Sequence, residues 1–297
     1  TEAGKTEGKH CSVCGEIIVA QEEIAALGHT EVVDEAVAPT CTATGKTAGK
    51  HCSVCHEVLV AQEEIAALGH TYANEICTRC GEHEPTKELK YSLNGDGASY
   101  TVVGIENEND ITEVYIPCVY EGKPVTSIGE YAFSGCSSLT SINIPNSVTS
   151  IGWAAFSGCS DLTSIIIPNG VTMIEGNAFS QCSSLTSITL PESLTILGES
   201  AFSGCSSLTS ITIPNSVTKI GDYTFRNCSN LTSIIIPNGV TIIQNSTFFG
   251  CSSLTSITLP KSLRAIYWNA FYNCSSLTSI IFEGTKAEWN AIKKYSD

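Results

Sequence analysis

The residues whose types and spacing could do chemistry here are the fifteen cysteines and a pair of histidines, His29 and His70, that each follow a glycine. The cysteines fall into two sets. Seven of them, Cys136, Cys159, Cys182, Cys205, Cys228, Cys251 and Cys274, recur every 23 residues without a slip. Another seven precede residue 81, and Cys118 stands apart. In the early set KHCSVCGEIIVAQEEIAALGHT (9–30) returns as KHCSVCHEVLVAQEEIAALGHT (50–71), an offset of 41 residues. Cys11 falls on Cys52, Cys14 on Cys55 and His29 on His70, while the counterpart of Cys41 would fall one position before Thr1. The second copy runs on into Cys77-Thr-Arg-Cys80.

A tight Cys-x-x-Cys turn sets two thiolates around one metal ion, and a distant histidine and cysteine can close a tetrahedral site. Two structural Zn²⁺ sites are therefore expected: Cys11, Cys14, His29 and Cys41, then Cys52, Cys55, His70 and Cys77, with Cys80 spare or replacing His70. A rival partition keeps one repeat self-contained and uses Cys41, Cys52, Cys55 and His70. Disulfides are the competing reading, since small extracellular modules often pair their cysteines. They give no reason, however, for a Gly-His at the same place in both copies. With four protein ligands each, such sites leave no open position for a substrate. No βαβ pattern surrounds the Cys-x-x-Cys pairs, which argues against a redox role.

The cysteines of the 23-residue ladder belong to a repeating unit, CSSLTSINIPNSVTSIGWAAFSG (136–158), whose fixed period is the signature of a solenoid. Leu139, Ile142 and Ile144 mark a strand with its inward residues on the core, and Pro145 stops it. Val148 and Ile151 form a second extended piece, Gly152 turns, and Ala155 and Phe156 pack inward. Cysteine behaves as a small buried hydrophobe in such a position, so seven aligned thiols read as inert core. The outward strand positions are small and uncharged, with Ile166, Ile235 and Ile281 as isolated apolar points. They hold no carboxylate pair, histidine or nucleophile–base set, so no enzyme is expected. Tyr131, Trp153, Tyr223, Tyr267 and Trp268 vary at otherwise degenerate corners; they are either contact anchors for a partner or covers for the rim of the core.

The elements that position these residues divide the chain into a first Cys/His module (1–41), a second (42–84), a linker with a β-hairpin cap (85–110) and the solenoid (111–297). Ile17-Ile18-Val19 reads as a strand entering a hairpin. LKYSLNGDGASYTVVGI (89–105) alternates on both sides of Asn94-Gly95-Asp96-Gly97, a hairpin suited to cover an open solenoid end. Ile111–Pro117 is already a repeat strand, and CVYEGKP (118–124) is an insert expected on a loop. The net charge of −15 argues against nucleic acid or an anionic membrane as partner. No apolar run reaches the ~18–20 residues of a membrane span.

The pattern C-x-x-L-T-S-I-x-I-P-x-x-V-T-x-I-x-x-x-A-F resembles the BspA-like leucine-rich repeat family of bacterial surfaces and some protists. EGKPVTSIG (121–129) and FEGTKAEWNAI (282–292) are similar to its first-turn and terminal motifs, and the resemblance covers roughly residues 88–297. The front modules resemble Cys-x-x-Cys/Gly-His repeats that accompany such solenoids in gut Firmicutes. The expected chain is mainly β: a leucine-rich-repeat solenoid, as the resemblance implies, with an N-terminal β-hairpin cap, preceded by two small modules that the Cys-x-x-Cys spacing makes zinc-ribbon-like. The resemblance also implies a secreted or wall-associated protein, with signal peptide and anchor outside these residues, and brings no catalytic residues. The expected function is a non-catalytic, adhesion-type module binding a protein, host matrix or glycan. The alternative is a self-assembling surface fibre or stalk without a specific ligand.

Overall fold

The computed structural model describes residues 3–26, 28–73, 76–79, 82–106 and 110–295, and Cys80 lies outside them. Two compact units emerge, Thr1–Glu82 and His83–Asp297.

The second unit is the mainly β solenoid, of about eight turns, that the 23-residue period predicts. Two ladders of short parallel strands run along it. One begins with Glu113–Tyr115 on Ser141–Asn143 and continues through Ser164–Ile166, Ser187–Thr189, Ser233–Ile235, Ser256–Leu259 and Ser279–Phe282. The other stacks Lys123–Ile128, Ser150–Ile151, Met173–Ile174, Ile196–Leu197 and Lys219–Ile220, with Ser127 opposite Ser150 and Ile196 opposite Lys219. From Ser127 on Ser150 onward these pairings join residues 23 apart, so the sequence period is the stacking period; the first, Glu113 on Ser141, is five residues longer because of the insert. Inward side chains of both ladders are buried, Leu139, Ile142, Ile144, Val148 and Ile151 in the first full turn.

A third set of main-chain bonds closes each turn. The corner residues Tyr131, Ala154, Asn177, Ser200, Tyr223, Ser246 and Asn269 all adopt the left-handed conformation, φ 51–57°. That conformation costs a non-glycine residue about 1–2 kcal/mol. Here it aims an N–H at the following turn: Tyr131 donates to the Trp153 carbonyl, Ala154 to Gly176 and Tyr223 to Asn245, each at 2.9 Å. Hydrogen bonding to a rigid neighbour holds the strain in place. Because the backbone, not the side chain, makes this bond, the corner tolerates almost any residue.

Phe156, Phe179, Phe202, Phe225 and Phe248 stack down the core, with centroids 5.3–5.6 Å apart and rings within 10° of parallel. Beside them the ladder cysteines from Cys136 to Cys251 are buried, as expected, and Cys274 in the last turn is half-buried. From Cys159 onward each donates its S–H to the carbonyl of a phenylalanine 26 residues earlier, for instance Cys182 to Phe156 and Cys205 to Phe179, both at 3.1 Å. Surface hydroxyls also run in ladders. Thr163 and Thr186 donate to the carbonyls of Thr140 and Thr163, and Ser183 and Ser206 to those of Ser160 and Ser183. The Ser/Thr richness therefore satisfies carbonyls between turns.

The hairpin cap forms as Leu89–Leu93 against Tyr100–Ile105, and its second strand continues the solenoid ladder by pairing parallel to Lys123–Ile128. Its turn is fixed by Asp96, which accepts from the Ala98 N–H at 2.8 Å, and by Gly97 at φ +65°. The insert differs from expectation. Val119–Tyr120 pairs antiparallel with Lys123–Pro124 around Glu121-Gly122, both at positive φ, so it is a small hairpin. Tyr120 then stacks on Tyr91, with centroids 3.8 Å apart. The stretch read as a linker is anchored, Thr86 accepting from the Tyr115 N–H at 2.9 Å, and His83, assigned by sequence to the second module, stacks on Tyr115 at 4.1 Å. At the far end Thr285 and Glu288 form a capping box for the helix Lys286–Ala291, which brings Trp289 and buried Ile292 to the core. No described helix is long and apolar enough to cross a membrane.

The first unit is a string of short hairpins. Ile17–Val19 pairs with Lys9–His10, and Val58–Val60 with Gly49–Cys52, each around a Cys-x-x-Cys turn. The strand Glu31–Asp34, which belongs by sequence to the first module, pairs antiparallel with Gly49–Cys52 of the second. Successive modules therefore share a sheet.

Candidate functional site

Two places in the molecule gather residues able to act: the Cys/His turns of the first unit and the corner of the solenoid.

In the first unit the backbone shapes the Cys-x-x-Cys turns before any ligand arrives. The N–H of Gly15 donates to the Cys11 carbonyl, and that of His56 to Cys52, both at 2.9 Å. Gly15 and His56 sit at φ +73° and +60° to close these turns. Amide N–H groups then point at the first sulfur, Val54 N–H lying 3.5 Å from Cys52 Sγ. The N–H groups of Cys55 and Val54, with His29, pull the Cys52 thiol down to about 6. Cys14 and Val13 N–H groups lower Cys11 in the same way. A sulfur held like this favours the thiolate that metals require.

The grouping of ligands differs from both partitions expected from sequence. His29, Cys52 and Cys55 come together, their ligand atoms all within 4.8 Å of one another, and so do Cys41, His70 and Cys77. Cys11 and Cys14 belong to neither group. The reason is the shared sheet: pairing Glu31 with Cys52 carries His29 away from its own turn and onto the next. Around His29, Nδ1 is 3.5 Å from Cys55 Sγ and Nε2 is 3.4 Å from the Glu57 carboxylate. Cys41 Sγ lies 3.9 Å from Cys77 Sγ, and His70 Nε2 is 3.4 Å from Glu82. Glu57 and Glu82 escaped sequence reasoning, yet the signal was present as Cys-x-x-Cys-x-Glu at 52–57 and 77–82, and again at 11–16.

On the solenoid the eight candidate contact residues split between two surfaces. Ile166, Ile235 and Ile281 are exposed on the hydroxyl-rich strand ladder, and threonines separate them: Ile166 lies opposite Thr189, while Thr258 sits between Ile235 and Ile281. The aromatics instead line the corner that follows the second ladder. Tyr131 and Trp153 meet edge to face at 4.9 Å and are 57 % and 38 % exposed. The Trp153 indole lies against Gly176 of the next turn, where a Cβ would come within 2.9 Å of its Nε1. Tyr223 packs with the Arg226 guanidinium, which also covers Phe249 at 5.0 Å. Tyr267, Trp268 and Tyr295 form a third group with centroids 4.9–5.8 Å apart. Arg226, Phe249 and Tyr295 were not singled out from sequence. Between the first two groups a groove of about 410 Å³ is lined by Glu175, Glu199, Lys219 and Asp222.

Set against known proteins, residues 106–232 and 218–296 match the BspA type Leucine rich repeat region in six copies. The crystal structure of a leucine-rich repeat protein from T. pallidum is similar over 72 % of this chain and 97 % of its own, at 31 % identity and a TM-score of 0.63. A leucine-rich repeat protein from Bacteroides ovatus is 38 % identical over 66 % of this chain, with a TM-score of 0.62; the match spans 52 % of that protein's length. No curated protein matches the sequence.

Proposed function

The chain belongs to the BspA-type leucine-rich repeat family, and on that footing we propose that it is an extracellular or wall-associated interaction module that binds a protein or glycan without transforming it. The observation that carries this reading is the exposed aromatic edge, above all the Tyr131–Trp153 pair. Rigid aromatic side chains on a fixed backbone lose little freedom on binding and bury large apolar area, which is why tyrosine, tryptophan and arginine dominate interface hot spots. Trp153 and Trp268 occupy the same place in the repeat, five turns apart. At about 4.8 Å per stacked strand they stand about 24 Å from one another, a span suited to an extended partner. The carboxylates of the adjoining groove offer a counterpart for a basic group on that partner.

Trp153→Ala and Tyr223→Ala should each weaken a confirmed ligand, found by screening matrix proteins and glycans against the full chain, by about 10–100-fold, the scale of an interface hot spot. Lys261→Ala, away from this edge, should leave affinity unchanged. Unaltered binding in both aromatic variants would remove this edge as the docking face. A second reading, self-association through the hydroxyl ladder, is favoured by the exposure of Ile166 and Ile235 at 70 % and 67 %. It requires concentration-dependent sedimentation, and a chain that stays monomeric at high concentration eliminates it.

A further inference from the structure

We propose that the two Cys/His groups are zinc sites that tie the first module to the second, each joining a histidine to the Cys-x-x-Cys turn that follows it in the chain. The same backbone arrangement occurs at both sites. Glu31 pairs with Cys52, and Tyr72 pairs with Cys77. The carbonyl of Thr30 accepts from the Ser53 N–H, and that of Thr71 from the Thr78 N–H, both at 2.9 Å. His29 and His70 immediately precede those two carbonyls, so one ladder carries each imidazole to the next turn. Twenty-three positions separate His29 from Cys52, but seven separate His70 from Cys77. Two connections so different in length converge on one geometry, which marks that geometry as the constrained feature.

The distances fit a tetrahedral ion. With Zn–S near 2.3 Å and Zn–N near 2.0–2.1 Å, two sulfurs should lie about 3.8 Å apart, and a sulfur and a nitrogen about 3.6 Å apart. The observed values are 3.9 Å for Cys41–Cys77 and 3.5 Å for Cys55–His29. Each histidine also turns its second nitrogen to a carboxylate, His29 to Glu57 and His70 to Glu82, both at 3.4 Å. A carboxylate behind a ligating histidine orients the ring and raises its basicity. Both glutamates stand two residues after the second cysteine of their turn. Cys41, the last residue of the first module, is delivered to the second site by the second module: the N–H groups of Leu68 and Gly69 donate to the carbonyls of Thr40 and Cys41 at 2.8 and 3.0 Å, which sets Cys41 beside His70. In the sequence Cys80 follows Cys77 at the same Cys-x-x-Cys spacing by which Cys55 follows Cys52. Thiolates with imidazole select zinc over magnesium or calcium, which take oxygen ligands.

Zinc here acts as a staple between beads with little core of their own, so loading it stiffens the string of modules. The test is titration of the reduced, chelator-stripped full chain with Zn²⁺, and with Co²⁺ as a spectroscopic probe of thiolate coordination. Two equivalents should bind, the one at Cys41, His70 and Cys77 more tightly. Cys41→Ala and His70→Ala should abolish the same equivalent, and their combination should remove no more. His29→Ala and the pair Cys52→Ser/Cys55→Ser should behave likewise for the other. The pair Cys11→Ser/Cys14→Ser should keep both equivalents, and the site retained in each variant reports that the unit is still folded. Glu57→Gln and Glu82→Gln should preserve stoichiometry while weakening binding about 10–100-fold. Loss of an equivalent in Cys11→Ser/Cys14→Ser, separate losses from Cys41→Ala and His70→Ala, or no binding by the reduced chain would each overturn the assignment.

Discussion

Replacing Phe202 by alanine is expected to destabilise the solenoid by about 3–5 kcal/mol, the range for deleting a buried phenylalanine. The ring is fully buried and lies between Phe179 and Phe225 at 5.6 Å on either side. Those offset-stacked contacts are worth about 0.5–1.5 kcal/mol each beyond burial, which places the loss toward the upper end. A second effect follows from the architecture. Each turn touches its neighbours alone, so stability is close to a sum of turn and interface contributions. Weakening one central interface uncouples what lies on either side. Urea unfolding followed by circular dichroism should therefore show a lower midpoint and a broadened or split transition. Ile166→Ser, at an outward position in the same solenoid, should stay within about 0.5 kcal/mol of the parent. A Phe202→Ala variant that unfolds in one sharp, unshifted transition would mean that the phenylalanine stack does not couple the turns.

The contrast between those two substitutions also shows which part of the molecule was legible in its sequence. Phe156 and Ile142 could be placed inside, and Ile166 outside, because the 23-residue period repeats each position's environment many times. A turn misread once would be misread at every copy, and the pattern would fail. Where the period breaks, legibility fell. Val119–Tyr120 sits in the single insert, and its pairing with Lys123–Pro124 rests on left-handed Glu121-Gly122, a signal read as loop. Thr285 and Glu288 carried a capping-box signature that went unread because a terminal turn has no second copy to compare.

In the first unit the candidate ligands were legible and their grouping was not. A Cys-x-x-Cys turn declares its chemistry locally. Which histidine reaches it depends on whether Glu31–Asp34 folds back on its own module or forward onto Gly49–Cys52. Spacing alone permits either. The forward pairing is a non-local contact, and the 41-residue repeat hides it by making both copies of each partner look equivalent. Glu57 and Glu82 acquire meaning only after that pairing is known, since each faces a histidine from the preceding stretch of chain.

Raising the pH above about 9 should unfold the solenoid steeply. Cys159, Cys182, Cys205, Cys228 and Cys251 are buried in full, and burial pushes every one of these thiols up from 9.0, Cys182 and Cys228 to about 12. Each S–H is also committed as a donor to a phenylalanine carbonyl, a role the thiolate cannot fill. Below about pH 9 the folded and unfolded chains hold the same thiol protons, so the ladder adds no pH dependence. Above it the unfolded chain releases protons that the core retains. The unfolded state then binds fewer protons, and stability falls as pH rises until the folded thiols themselves titrate near or beyond 12. Each thiol contributes about 1.4 kcal/mol per pH unit, and five together about 7. Against a total stability of about 5–15 kcal/mol for a typical domain, that slope brings unfolding within about one or two units of pH 9. Tyr91, held up to about 12 by burial and by Tyr120, joins only above its ordinary value of 10.0. Urea midpoints of the reduced chain between pH 8 and 10 therefore isolate the thiols. Half-buried Cys274, raised to about 11 by burial, adds a sixth thiol below that value, so Cys205→Ala should remove about one proton in six from the slope while conceding packing at neutral pH. A midpoint that holds level across that range would show that the ladder thiols reach solvent and titrate as exposed groups do.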